Sequence, residues 1–506
     1  MAENPGIVDF PERFNMAEYF LDARVREGKG ARVAVRVGDA SFTYAEVQDR
    51  ANRARHALGD RGIDVEDRVL FFLPDGIEFV DAFFGTLKAG AAFCMGNPLA
   101  TEEDMDYLLG YTRARAVIAH ASTLDRLLPA LERHPRCRAR FVVGGEAPAG
   151  TIAWDAALAA ASHETMNADT SRDDIAGWLF TSGTTGKPKG AVHFHHDFPW
   201  NTERYAKRTL GLREDDVFVS VSRLFFGYAT GTNLMFPFAV GGTAVLFPDK
   251  PTPDVLFDQI ERFGVTVLTN VPAMIRQMVD SDRDADLSSV RMCLSAGEAL
   301  PPELYARWKE RWPSAEILDG IGSAEMFHIY ISNRLGDVKL GSLGRVVDGY
   351  DARIAGPDSG DVPDGEIGRL WVRGDSSALC YWGDPRKSAD VFRGEWVVTA
   401  DLFRRDSEGY YYYAGRDDDM LKVRGMFVSP LEIEDCIATH PSVKECAVVG
   451  VDDGAGLVIP KAFVVVREGV DADEALSEGI QTHVRARLTK YKYPREIAFV
   501  PVPAQE

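Results

Sequence analysis

The residues most suited to chemistry are Thr181-Ser182-Gly183-Thr184-Thr185-Gly186-Lys187-Pro188-Lys189-Gly190. Glycines let successive backbone N–H groups converge on an anion, the hydroxyls add donors, and the lysines neutralise the charge a triphosphate brings. The order differs from a Walker loop, which needs glycine at the place of Thr181 and Ser or Thr directly after the Gly-Lys pair, where Pro188 stands. A plain surface turn has the same composition. The phosphate-binding reading therefore depends on what accompanies the segment.

Two further constellations accompany it. Asp319-Gly320-Ile321-Gly322-Ser323-Ala324-Glu325 runs from a strand end through a glycine-rich turn to a carboxylate. Such glycines admit a flat ring close to the backbone, and Glu325 could hold Mg2+ bridging triphosphate oxygens; a capping role is the alternative. Asp401, in Thr399-Ala400-Asp401-Leu402, suits a ribose diol because a carboxylate accepts two hydroxyls, and Arg416 follows it; a turn cap and a surface ion pair are the alternative. Leu224-Phe225-Phe226-Gly227-Tyr228-Ala229 and Phe327-His328-Ile329-Tyr330 flank these turns and suit a flat apolar acid better than acetate or a long chain, although aromatic stripes are also ordinary core.

The elements that must position these residues read as an α/β architecture. Short apolar runs at 69–73, 91–95, 217–221, 244–247, 265–268 and 292–295 predict buried strands, and an amphipathic stretch at 77–88 with helical patterns at 253–263, 272–281 and 301–311 lies between them. That alternation predicts mainly parallel, buried sheets. After about residue 341, Gly- and Asp-rich turns punctuate short strands near 367–372 and 409–413, predicting a β-rich subdomain. The acids Asp417, Asp418 and Asp419 favour a solvated connection, followed by a compact α+β region with helices at 430–439 and 474–488 and strands at 446–450 and 462–466. The expected domains are 1–417, with the β-rich subdomain at about 341–417, and 418–506.

The chain has 506 residues, 45% of them hydrophobic, enough for large cores. Its polar N-terminus lacks a secretory pattern and no segment is apolar enough to span a membrane, so a cytoplasmic protein with no membrane partner is expected. Six scattered cysteines without a Cys-x-x-Cys pair predict reduced thiols. A net charge of −20 argues against nucleic acid as a partner, so anionic substrates must meet locally positive sites.

The order Ser-Gly-Thr-Thr-Gly-x-Pro-Lys-Gly resembles the phosphate loop of the adenylate-forming superfamily, which includes acyl-CoA ligases, luciferases and the adenylation domains of peptide synthetases. The resemblance covers nearly the whole chain. It implies that Thr181, Ser182, Gly183, Thr184, Thr185, Gly186, Lys187 and Lys189 grip the triphosphate, with Thr184, Lys187, Lys189 and Glu325 catalytic and Glu325 linked to magnesium. Ala296, Gly297 and Glu298, with Asp319, Gly320, Ile321, Gly322 and Ser323, would bind the adenine; Asp401 and Arg416 would hold the ribose. Asp418 would be the hinge of a mobile C-terminal domain, and Gly425 would line the path of the pantetheine arm.

The wording around Phe226 and His328 looks like the benzoate-CoA ligase branch. It implies that Gly227, Tyr228, Gly322, His328 and Ile329 surround an aryl ring and that Phe226 gates the thiol tunnel. Gly227 departs from the alanine more usual in that branch, and the lost methyl makes room for an ortho substituent such as the amine of 2-aminobenzoate (anthranilate). ATP, Mg2+ and coenzyme A are the implied cofactors. The expected reaction is formation of an aryl-AMP and then its CoA thioester. Alternatives are a stand-alone adenylation protein that loads an acyl-carrier protein, or a non-catalytic nucleotide- and acid-binding module. The family's closing Pro-x-x-x-x-Gly-Lys segment has no counterpart after Lys492; a sequence truncated before that lysine is expected, the other option being a crippled adenylation step. Oligomeric state stays open.

Overall fold

The computed structural model describes residues 9–181, 187–417, 421–423, 426–452, 458–489 and 492–501. The chain divides into two compact units, one made of 1–351 with 372–397, the other of 352–371 with 398–506.

The first unit holds two large sheets. In the nine-stranded sheet the order runs Arg345–Val346, His328–Ser332, Glu316–Ser323, Met292–Ser295, Val267–Asn270, Val217–Ser220, Thr243–Leu246, Val33–Val37, Ala40–Thr43. The pairings from Val33–Val37 through Thr243–Leu246 to Glu316–Ser323 are parallel, and both ends are finished by antiparallel strands. The eight-stranded sheet runs Cys380–Tyr381, Lys189–Phe194, Ile175–Thr181, Ala92–Met95, Arg68–Phe72, Ala116–His120, Ala139–Val143, Ile152–Ala153. Continuous apolar runs make these strands because they are covered on both faces; Val69 through Phe72 and Ala92 through Cys94 are fully buried.

Local signals set the helix ends. Thr252 caps the helix Pro253–Phe263 by accepting from the Val255 N–H, Pro253 opens it, and Gly264 closes it at φ 61°. The helix Ile77–Lys88 has its expected bounds but not its expected amphipathic face: every residue except Glu78 is buried. Its charges are paired instead. Arg50 clamps Asp81 with N–O distances of 2.6–3.1 Å, and Lys88 Nζ lies 2.7 Å from Asp22 Oδ1.

The second unit carries the β-rich region and the C-terminal residues. Trp396–Arg405 enters it and pairs antiparallel with Tyr411–Arg416. Further on, a three-stranded sheet of Val443–Asp452, Val458–Val466 and Glu496–Phe499 packs with the helices Pro430–Ala438 and Glu474–Arg485 around a core of Val428, Ile433, Ile437, Val448, Val464, Ile480 and Val484.

Candidate active site

The phosphate-loop segment joins two antiparallel strands of the eight-stranded sheet, Ile175–Thr181 and Lys189–Phe194, with Thr181 opposite Lys189. Ser182, Gly183, Thr184, Thr185 and Gly186 lie outside the described residues. The strand exit is held by a helix that the sequence did not single out. From Glu102–Thr112, Tyr107 donates to the Pro188 carbonyl at 2.9 Å, while the Tyr111 hydroxyl accepts from Gly190 N–H at 3.1 Å and donates to the Trp382 carbonyl at 2.6 Å. The i, i+4 spacing of two tyrosines was the only sequence trace of this brace.

The two lysines differ. Lys187 Nζ sits 2.7 Å from Glu103 Oε1 and 3.6 Å from Asp104 Oδ1, and that acidic partnership holds its pKa above the ordinary value. Lys189 is more enclosed, 3.8 Å from Asp384 and 5.9 Å above the Tyr381 ring. Tyr381 in turn donates to Glu325 Oε1 at 2.5 Å, so Lys189 and Glu325 share one neighbour.

Glu325 belongs to a one-turn 3-10 helix, Ala324–Met326, between the strands Glu316–Ser323 and His328–Ser332 of the nine-stranded sheet. The chain reverses through Phe327 at φ 41° and His328 at φ 105°, both in the left-handed region that side-chain-bearing residues avoid. Gly322 permits the reversal: a Cβ there would lie 2.2 Å from the His328 carbonyl oxygen.

The predicted adenine residues fall on adjacent strand ends, with Ser295 opposite Asp319. Gly297 has φ 93°, and Glu298 Oε2 accepts from the Ala273 N–H at 3.3 Å. Burial pushes the Asp319 carboxyl up to about 7.

Of the predicted aryl residues, Tyr228 and Gly322 lie against His328. Its ring stacks on Tyr228 at 5.3 Å and meets the edge of Phe236 at 4.7 Å. Burial pushes its pKa down to about 4, so the ring is neutral at pH 7. Nε2 donates to the Tyr228 carbonyl at 3.0 Å, which leaves Nδ1 as an acceptor, and Nδ1 has no hydrogen-bond partner among the described residues. The Tyr228 hydroxyl has none there either. A Cβ on Gly227 would lie 3.3 Å from Leu179 Cδ1, and Ile329 is buried while Phe226 is exposed. Gly231 was missed by sequence reading: a Cβ there would come within 2.3 Å of His328 Cδ2, so its bareness makes the histidine's place.

Comparison with known families decides what this site belongs to. The model of the AMP-binding enzyme family matches residues 21–382, and that of the AMP-binding enzyme C-terminal domain matches 432–505. The chain belongs to the AMP-binding enzyme family. It is 42% identical over 505 residues to a benzoate--CoA ligase of Thauera aromatica, covering 99% of this chain and 95% of the relative. Its fold matches the crystal structure of the anthranilate CoA ligase AuaEII in complex with anthranoyl-AMP with a TM-score of 0.91, 36% identity and coverage of 98% and 95%. It also matches a benzoate CoA ligase from Burkholderia xenovorans LB400 with a TM-score of 0.88, 40% identity and coverage of 97% of each chain.

In the second unit of this AMP-binding enzyme, Asp401 and Arg416 face each other across paired strands, with Arg416 Nη1 3.6 Å from Asp401 Oδ1. Thr399 supports them by accepting from the Asp401 N–H at 3.1 Å and donating to the Leu370 carbonyl at 2.9 Å. Asp418 and Gly425 lie outside the described residues. Among the described residues, no helix is long and apolar enough to cross a membrane, and all six cysteines are free thiols.

Proposed function

We propose that this AMP-binding enzyme is an aryl-CoA ligase whose preferred acid is 2-aminobenzoate. It is an AMP-forming acid–thiol ligase of the benzoate-CoA ligase type. Adenylate-forming CoA ligases use ATP, Mg2+ and coenzyme A. The acid's carboxylate attacks the α-phosphorus, pyrophosphate leaves, and the CoA thiol then displaces AMP from the aryl-AMP. Holding acid and nucleotide in one site supplies the effective concentration for the first step.

Several residue roles belong to this reading. Thr184, Lys187 and Lys189 grip and neutralise the leaving pyrophosphate, Asp401 and Arg416 hold the ribose, Asp418 is the pivot of the C-terminal domain, whose expected start at 418 goes with it, and Gly425 lines the pantetheine path. Glu325 fits Mg2+ chemically: it offers a hard carboxylate oxygen, and its Oε2 makes no hydrogen bond or ion pair among the described residues while Oε1 is taken by Tyr381. Mg2+, when bound, screens charge on the triphosphate oxygens. The free thiols support a reducing, cytoplasmic setting.

The observation that carries the acid preference is the His328 acceptor. A neutral imidazole with Nε2–H committed to the Tyr228 carbonyl keeps an unfilled lone pair at Nδ1. A ring amine satisfies a buried acceptor that an unsubstituted benzoate leaves bare. Gly227 supports the same choice by omitting a methyl that would lie 3.3 Å from Leu179 Cδ1.

The test compares acids in pyrophosphate exchange. We expect kcat/KM for 2-aminobenzoate to exceed that for benzoate by about tenfold, and Gly227→Ala to reverse the order, since one methyl in a pocket is worth roughly that factor. Benzoate turned over far better than 2-aminobenzoate, with no effect of Gly227→Ala, would refute the preference.

A further inference from the structure

The turn that carries Glu325 is fixed by donors from outside its own sheet. Its three successive carbonyls each accept one: Ala324 from His193 Nε2 at 2.7 Å, Glu325 from Ala378 N–H at 2.7 Å, and Met326 from Ser376 Oγ at 2.7 Å. Each donor is itself fixed. His193 is fully buried, with Nδ1 donating to Asp197 Oδ2 at 2.7 Å, and Ser376 Oγ is also bonded to the Tyr350 hydroxyl at 2.6 Å. The turn leads into two residues with left-handed backbone, Phe327 and His328, a conformation that persists only where the surroundings impose it.

The side chain of Glu325 receives a fourth donor, the Tyr381 phenol at 2.5 Å from Oε1. Tyr381 stands on the edge strand Cys380–Tyr381 of the eight-stranded sheet, paired with Ala191, one strand from the phosphate loop. Its ring lies under Lys189 Nζ and against the edge of Phe392 at 5.4 Å. Lys189 lies on a strand of the eight-stranded sheet and Glu325 on a turn between two strands of the nine-stranded sheet, and Tyr381 touches both.

We propose that Tyr381 is a positioning residue for Glu325: its phenol occupies Oε1 and thereby aims Oε2 at the metal–nucleotide complex, in register with the strand that bears Lys189. The inference rests on the reading of Glu325 as the magnesium-linked carboxylate. A carboxylate held by one neutral donor keeps its charge and loses its rotational freedom, which is what an outer-sphere partner supplies to a metal ligand. Tyr381→Phe removes only the hydroxyl, leaving the ring beneath Lys189 and the strand pairing in place.

The test measures Mn2+ binding by electron paramagnetic resonance in the presence of a non-hydrolysable ATP analogue, beside calorimetric binding of 2-aminobenzoate to the metal-free, nucleotide-free protein. Tyr381→Phe is expected to weaken Mn2+ about tenfold and to leave the acid's affinity within about twofold. In a double-mutant cycle on an E325Q background, Tyr381→Phe is expected to add no more than about twofold, because the tyrosine acts through the carboxylate. Unchanged Mn2+ affinity in Tyr381→Phe, with E325Q weakened, overturns the positioning role alone. Equal loss for Mn2+ and the acid also overturns it, because that pattern is general damage. Unchanged Mn2+ affinity in E325Q overturns the reading of Glu325 itself.

Discussion

His328 works as a neutral ring, and its neutrality has a measurable consequence. The folded protein holds its pKa near 4, whereas the unfolded chain protonates it at about 6.5, so the unfolded state binds more protons between those values and stability falls as pH is lowered through that window. His328→Gln removes this term. The stability difference between wild type and variant, from urea denaturation at pH 7 and pH 4.5, should shift towards the variant on acidification by up to about 1.4 kcal/mol per pH unit. A pH-independent difference would mean that the ring takes up its proton in the fold at the same pH as in the unfolded chain. Gly231 gives a sharper steric prediction, because the added methyl of Gly231→Ala would overlap His328 Cδ2. Displacing the ring should raise KM for the aryl acid about tenfold while KM for ATP changes little; equal effects on both would place the damage elsewhere. Glu325, Gly227 and His328 were legible as residues, since their motifs are short and contiguous. Tyr381, His193 and Ser376 were not. They reach the Ala324–Met326 turn from other strands and segments, and nothing in their local sequence distinguishes them from core.

The elements were legible where one local signal sufficed. The strand Met292–Ser295 and the helix Pro253–Phe263 fall where apolar runs and caps put them. The helix Ile77–Lys88 shows the limit: its bounds follow from pattern, but its burial on all sides comes from neighbours such as Arg50 and Asp22, which lie far away in sequence. That helix packs closely on Tyr44–Gly59 at Gly85, where a Cβ would come within 2.3 Å of Ala54 Cβ. Gly85→Ala must push the helices apart, and such overpacking destabilises by about 1–3 kcal/mol. Denaturant titration of the purified variant checks this, and a stability equal to wild type would show that the helices separate freely. The Ala324–Met326 turn could not be foreseen in the same way, because its conformation is imposed by bonds from His193, Ser376 and Ala378.

At the scale of the molecule, the order of the motifs carried more than any one of them. A phosphate loop, a glycine-rich turn ending in glutamate and an Asp–Arg pair, in that sequence along 506 residues, identify an AMP-binding enzyme before any contact is measured. With a net charge of −20, anionic substrates need locally positive sites, the part that the proposed function gives to Lys187 and Lys189. Composition could not name the acid; the proposed preference for 2-aminobenzoate is argued instead from the missing methyl at Gly227 and the Nδ1 of His328, unpartnered among the described residues. The most direct measurement supplies the purified chain with ATP, Mg2+, coenzyme A and a panel of benzoate-type acids, and follows the products by mass spectrometry. An aryl-CoA ligase releases AMP, pyrophosphate and the free CoA thioester, each strictly dependent on the acid. Binding of acid and ATP without any of these products, or acyl transfer only to a carrier protein, would contradict it.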